Sequence, residues 1–151
     1  MSIKSFTKAA ELLYQNSYYD EALCLVCSAI DACAAEKYPL LSATERYKKF
    51  LSHHFRTISK FGFPGIEASA IKIKLNCQVE SLRPDKNGYV DITQIIYHTI
   101  RCGLVHNCAI DSSIIFVNQT IIGDYKQNRF YLPQSLIRGL IAAINEYTTE
   151  V

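Results

Sequence analysis

Arg101 and His106 are the two residues whose types and spacing most directly suggest chemistry. Arginine carries a permanent charge and a planar set of donors that suits phosphate, and histidine can exchange a proton near neutral pH. Both lie near the end of a predicted helix that begins at about Asp91 and is otherwise largely apolar. The pair therefore predicts either a site for phosphate chemistry or a cationic helix terminus, where positive charge stabilises the last free carbonyls.

The spacing of the two residues bears on oligomeric state. On an ideal helix, Arg101 and His106 lie about 140° apart around the axis, because each turn holds about 3.6 residues. One chain therefore does not present both side chains squarely on one face. Two such helices that meet at a two-fold axis bring both pairs to one cleft, since a symmetric interface repeats each patch. We therefore predict a homodimer.

The amino-acid sequence of residues 101–107 resembles a known family signature. This stretch, Arg-Cys-Gly-Leu-Val-His-Asn, resembles the signature of the HEPN superfamily (higher eukaryotes and prokaryotes nucleotide-binding domains), an Arg, four to six residues and then a His. Residues 22–32 are similar to the second helix of bacterial HEPN-like proteins, and the order of helices over about residues 1–110 is also similar. The resemblance implies a dimeric helical bundle that acts as a metal-independent ribonuclease, in a defence or toxin system.

The same resemblance implies roles for the residues. His106 would transfer the proton when the RNA 2′-hydroxyl attacks the adjacent phosphorus, Arg101 would stabilise the growing phosphate charge, and the product would be a 2′,3′-cyclic phosphate. Catalytic relatives often carry a polar residue such as Asn directly after the Arg, where this chain has a thiol, which is a poor donor. The expected substrate-binding neighbours are Asn107, Cys102, Asp31 and His98.

Two other functional classes compete with the nuclease. The first is a non-catalytic HEPN-like module that binds a nucleotide or RNA, or assembles with an unidentified protein partner. The second is a metal hydrolase, which the sequence disfavours because His53, His54 and His98 have no carboxylate at ligand spacing. We therefore predict no metal and no cofactor. Asp31 is the one charge in the middle of an apolar helix, and it lies either at an exposed helix edge or beside a buried partner.

The length and composition of the chain limit these functional classes. The chain has 151 residues, which suits one domain over 1–151, and a net charge of +2 is too small for nucleic-acid binding by bulk electrostatics. RNA contact would need a local patch, for which the basic segment 46–60 is the candidate. We expect neither a membrane span nor a signal peptide. The six cysteines therefore predict reduced thiols in a cytoplasmic protein.

Hydrophobic periodicity predicts a mainly α fold, a four- to five-helix bundle with a small β-hairpin before the C-terminal helix. The hairpin appendage covers about residues 113–132 and pairs 114–117 with 129–132, with 121–122 as a third short strand. Asp20, a capping box at Ser42 and Glu45, and Asp91 with Gln94 are predicted N-terminal caps. Pro133 is predicted to open the last helix. The predicted helices cover residues 3–16, 20–37, 43–60, 66–82, 91–107 and 133–147.

Overall fold

The computed structural model describes residues 2–76, 78–124 and 129–150. Its helices are α1 (Ile3–Gln15), α2 (Tyr19–Lys37), α3 (Ala43–His53), α4 (Phe55–Gly62), α5 (Ile92–Ile95), a π-helical segment (Ile96–Arg101), α6 (Cys102–Asn107) and α7 (Leu136–Glu150). Its strands are β1 (Lys72–Lys74), β2 (Tyr89–Asp91), β3 (Ile114–Val117), β4 (Gly123–Asp124) and β5 (Phe130–Pro133). The predicted fold class, mainly helical with a small antiparallel hairpin before the C-terminal helix, is confirmed.

Helix α2 lies at the centre of the bundle and packs against α1, α3 and α7. Its sequence is apolar on nearly every side, which is typical of a helix surrounded by others. Several of its buried residues are small, and small side chains allow neighbouring helices to approach closely. These buried positions are Ala22, Leu23, Val26, Cys27, Ala29, Ile30, Cys33 and Ala34.

Local capping signals set several of the helix starts. The capping box of Ser42 and Glu45 is present at the start of α3, as predicted. The predicted cap at Asp20 is wrong, because Tyr18 is the N-cap of α2 and makes no side-chain bond there, while Asp20 lies in the first turn. The predicted helix 43–60 is divided at His54, whose backbone (φ −97°, ψ 14°) separates α3 from α4.

Helices α4 and α7 pack with their backbones almost in contact. Gly139 faces this contact, and a Cβ atom there would lie 2.5 Å from the Ile58 carbonyl oxygen and 2.8 Å from the Gly62 Cα. The Ser135 hydroxyl donates to the Gly62 carbonyl at 2.7 Å, just before α7 begins. The absence of a side chain at residue 139 therefore sets how α7 lies on α4.

The prediction of a helix over residues 66–82 is wrong. Lys72–Lys74 instead form a strand that pairs antiparallel with Tyr89–Asp91, so that Ile73 lies opposite Val90. The alternation of Lys and Ile across β1 puts the half-buried Ile73 on one face and the exposed lysines on the other. The alternating pattern of these residues therefore agrees with the observed strand, and the helical spacing of the apolar residues in this segment does not.

The second sheet has three strands in the order β3, β5, β4. The predicted strand 114–117 is confirmed, but it runs parallel to β5, and β4 is the antiparallel partner that forms the hairpin. The third strand is Gly123–Asp124 and not 121–122. Pro133 ends β5, so the prediction that it opens the last helix is wrong, and α7 begins at Leu136.

Candidate functional site

The site is built at the end of a helix that we call the motif helix, residues 92–107, formed by α5, the π-helical segment and α6. Asp91 caps it, because its carboxylate accepts from the Thr93 amide at 2.7 Å. The predicted partnership of Asp91 with Gln94 in a capping box is not seen. The cap fixes the first residue of the motif helix.

A π-helical segment from Ile96 to Arg101 directly precedes the Arg/His stretch. Its hydrogen bonds reach one residue further than in an α-helix, and the Cys102 amide accordingly donates to the Tyr97 carbonyl. Such segments are uncommon and frequently occur at functional sites, because they change the direction of the side chains that follow. The ideal-helix angle between Arg101 and His106 is therefore only a guide to their real directions.

The motif helix ends in a sharp return of the chain. Cys108 adopts the left-handed conformation (φ 51°, ψ 29°), and the Ala109 amide then donates to the Gly103 carbonyl at 3.3 Å. A Cβ atom on residue 103 would clash with the Ala109 carbonyl oxygen. Gly103 therefore allows the segment after the helix to lie against the helix itself.

This return forms one wall of an open groove of about 390 Å³, which we call the motif groove. Residues of the motif helix also line it, and the segment before β2 contributes Glu80 and Ser81. His106 and Asn107 are exposed, whereas His98 and Cys102 are half-buried. The groove-lining residues of the motif helix are His98, Thr99, Cys102, Gly103, His106 and Asn107.

Arg101 does not line the motif groove. Its Nε and Nη2 atoms lie 2.9 and 2.8 Å from Asp31 Oδ2 on α2, and the two side chains are 14% and 22% exposed. Partial burial opposes its charge, but the hydrogen bond and charge of Asp31 outweigh that effect and raise the pKa of Arg101. Of the two readings of Asp31, the partnered carboxylate is confirmed.

A cation that the sequence did not single out contacts one of the groove-lining histidines. The Lys48 ammonium on α3 lies 3.0 Å from His98 Nε2 and 5.7 Å from the centroid of the Tyr97 ring. The Arg101 guanidinium lies over the same ring at 5.4 Å. Partial burial, with Lys48 as a second cause, lowers the pKa of His98. The only sequence signal for Lys48 was its place in the basic segment 46–60.

Among the predicted site residues, the structure thus brings His98, Cys102, His106 and Asn107 to one groove and pairs Arg101 with Asp31 beside it. Within the described part of the chain, no helix is both long and apolar enough to pass through a bilayer. Fold and site together define a mainly helical protein with a histidine-lined groove at the end of an Arg/His helix.

This chain belongs to the Rv1289 family, whose family model matches residues 4–145. That family is of uncharacterised function. No curated protein and no solved structure gave a significant match. The resemblance to the HEPN superfamily is not tested by these comparisons, and it therefore stays a prediction.

Proposed function

We propose that the protein is a metal-independent endoribonuclease of HEPN type, with the motif groove as its phosphodiester site. The observation that carries the proposal is the convergence at one open groove of two imidazoles, His98 and His106, with the Lys48 ammonium 3.0 Å from the first. Imidazoles supply proton transfer near neutral pH, and the ammonium supplies positive charge beside a phosphate.

In the proposed reaction the RNA 2′-hydroxyl attacks the adjacent phosphorus, and the 5′-oxygen of the next nucleotide leaves. His106 is exposed in the groove and transfers the proton between the attacking and leaving oxygens and solvent. Asn107, at the same end of the groove, is a donor to a non-bridging phosphate oxygen. The products are a 2′,3′-cyclic phosphate and a free 5′-hydroxyl.

In this proposal Arg101 pairs with Asp31 of its own chain and also approaches the phosphate bound by a second copy of the chain. Asp31 accepts from its Nε atom and forms an ion pair with its Nη2 atom, so in one chain the guanidinium is anchored to α2 and does not line the groove. We propose that a second copy of the chain completes the site, with the two motif helices meeting at a two-fold axis and each guanidinium approaching the phosphate held by its partner. The proposal places this homodimer in the cytoplasm, in a defence or toxin setting.

The Arg101–Asp31 ion pair also favours a second candidate function. Arg101 is paired with Asp31 and largely buried, so a structural role is enough to explain it. In that role the ion pair holds the motif helix against α2. In that case the groove holds RNA or a nucleotide, or contacts a protein partner, without cleaving anything. The two candidate functions differ in the role of His106. In the nuclease it takes part in cleavage of the phosphodiester bond, and in the binding module it only contributes to affinity.

The experiment that tests the proposal incubates the purified protein with mixed-sequence RNA oligonucleotides in EDTA and examines the new ends. We expect 2′,3′-cyclic phosphate ends from the wild type and a loss of about 10²–10⁴-fold in the cleavage rate for His106→Ala. His53→Ala is the matched control, because it removes an exposed imidazole that does not line the motif groove. Equal cleavage by the wild type and His106→Ala would exclude the enzyme. RNA binding without cleavage would favour the non-catalytic module.

A further inference from the structure

A second group of histidines lies at the junction of α3 and α4. His53 is the last residue of α3, and His54 is the residue at which the two helices separate. The change of direction leaves the two imidazoles side by side, with ring centroids 4.9 Å apart and planes at 68°. Neither residue lines the motif groove.

Helix α7 brings carboxylates to this junction from the far end of the chain. Glu146 Oε2 lies 2.8 Å from His54 Nδ1, and Glu150 lies one turn further along the helix. Candidate ligand atoms of His53, His54 and Glu150 all lie within 4.8 Å of one another. No carboxylate follows these histidines at ligand spacing in the sequence, which is why no metal was predicted. The fold supplies the carboxylate from a distant helix.

The contacts of His54 orient its Nε2 atom as the candidate metal ligand. The residue is only 2% exposed, and its Nδ1 atom lies 2.8 Å from Glu146 Oε2. In the neutral ring, the Nδ1–H group donates a hydrogen bond to Glu146, which leaves the lone pair on Nε2. A carboxylate that orients an imidazole in this way is the usual outer partner of a metal-binding histidine.

A cation already lies against the same two ligand atoms. The Lys37 ammonium is 3.3 Å from His54 Nε2 and 3.8 Å from Glu150 Oε2. The lone pair of His54 and the Glu150 carboxylate therefore face a common point that accepts positive charge. A divalent ion at that point would displace the Lys37 side chain, whose ammonium is at the end of a flexible stem.

We propose that His53, His54 and Glu150 bind a divalent transition-metal ion of the zinc class, with Glu146 as the residue that positions His54. Two imidazoles and one carboxylate suit Zn²⁺, which binds such nitrogen and oxygen ligands at about 2.0–2.2 Å and leaves a fourth position for water. His53 is exposed and the Glu150 side chain is 52% exposed, so both can rotate inward to close the set. The ion would join the α3–α4 junction to the last turn of α7.

The test titrates metal-free protein, prepared with EDTA and then dialysed, with Zn²⁺ in a calorimeter. We expect one ion per chain in the wild type and at least about a tenfold loss of affinity for His53→Ala and for Glu150→Gln. His106→Ala is the matched control, since it removes an exposed imidazole outside the cluster and should leave zinc affinity unchanged. Wild-type protein that binds no stoichiometric zinc, or ligand variants that bind it as tightly as the wild type, would overturn the proposal.

Two further variants separate metal binding from a merely structural ion-pair cluster. Lys37→Met removes the competing ammonium and should tighten zinc binding, whereas Glu146→Gln should weaken it by about 10–100-fold. Co²⁺ as a spectroscopic probe should give visible bands without the thiolate charge-transfer absorption that the cysteines would produce. Strong thiolate absorption, or a Lys37→Met variant that binds zinc more weakly than the wild type, would contradict the site.

Discussion

The two histidine regions of this protein differ in how the chain builds them. The motif groove takes its imidazoles from a single helix and leaves His106 in solvent, whereas the cluster at the α3–α4 junction buries His54 against Glu146, a residue 92 positions away. An exposed imidazole is free to meet a substrate, and a buried, oriented one is suited to a fixed ligand. This difference is why we propose turnover for the motif groove and ion binding for the cluster at the α3–α4 junction.

The largest expected effect on stability concerns the Arg101–Asp31 ion pair beside the motif groove. Arg101→Ala should lower the free energy of unfolding by about 3 kcal/mol, because Asp31 keeps a largely buried carboxylate without its guanidinium. Denaturant unfolding measures this, and adding Asp31→Asn should recover part of the loss. Arg129→Ala, at an exposed position, is the control and should change stability by less than about 0.5 kcal/mol. Equal stability of the two alanine variants would show that the ion pair contributes nothing.

Two glycines allow each region to be disturbed separately. Gly139→Ala forces a Cβ atom against the Ile58 carbonyl and should cost about 1–3 kcal/mol while weakening zinc binding, because α7 carries the carboxylates. Gly103→Ala forces the Ala109 segment away from the motif helix and should weaken RNA binding while zinc binding is kept. Thermal unfolding, RNA titration and zinc calorimetry on both variants give the comparison. Loss of both zinc binding and RNA binding in each variant would show that the two regions are not independent.

The smallest expected effect concerns the groove histidine that Lys48 contacts. Because partial burial and Lys48 lower the pKa of His98 in the folded state, the unfolded state binds the proton first as the pH falls below about 6.5. The free energy of unfolding should therefore fall from that pH down through the folded pKa, and His98→Gln should reduce this slope. Unfolding curves at a series of pH values in EDTA measure it. A steeper slope in His98→Gln would contradict the stated direction.

The parts of the fold that sequence predicted well are those whose signals are local. The capping box of Ser42 and Glu45 and the cap at Asp91 each act within a few residues, so the pattern and the structure agree. The segment 66–82 failed because short apolar runs fit both a helix and a strand, and only pairing with Tyr89–Asp91 decides between them. Strand β3 and its partner β5 were located correctly, but their parallel direction was not predicted, because pairing direction depends on the whole connection between the two strands.

The same distinction holds for the sites. The predicted site residues His98, Cys102, His106 and Asn107 lie on one predicted helix, and the structure places them at one groove. The other site contacts join residues that are far apart in sequence: Asp31 with Arg101, 70 positions apart, and Lys48 with His98, 50 positions apart. No periodicity encodes such contacts, because they are set by how the helices pack.

The most direct test of the central claim, that the motif groove cleaves RNA through its 2′-hydroxyl with His106 as the proton-transfer group, compares two substrates. One is an RNA oligonucleotide, and the other is the same oligonucleotide with 2′-deoxy sugars at the cleaved positions. In EDTA, the wild-type protein should convert the first to 2′,3′-cyclic phosphate products and leave the second intact, and His106→Ala should leave both intact over the same period. Cleavage of both substrates at equal rates, or of the RNA equally by both proteins, would contradict the account.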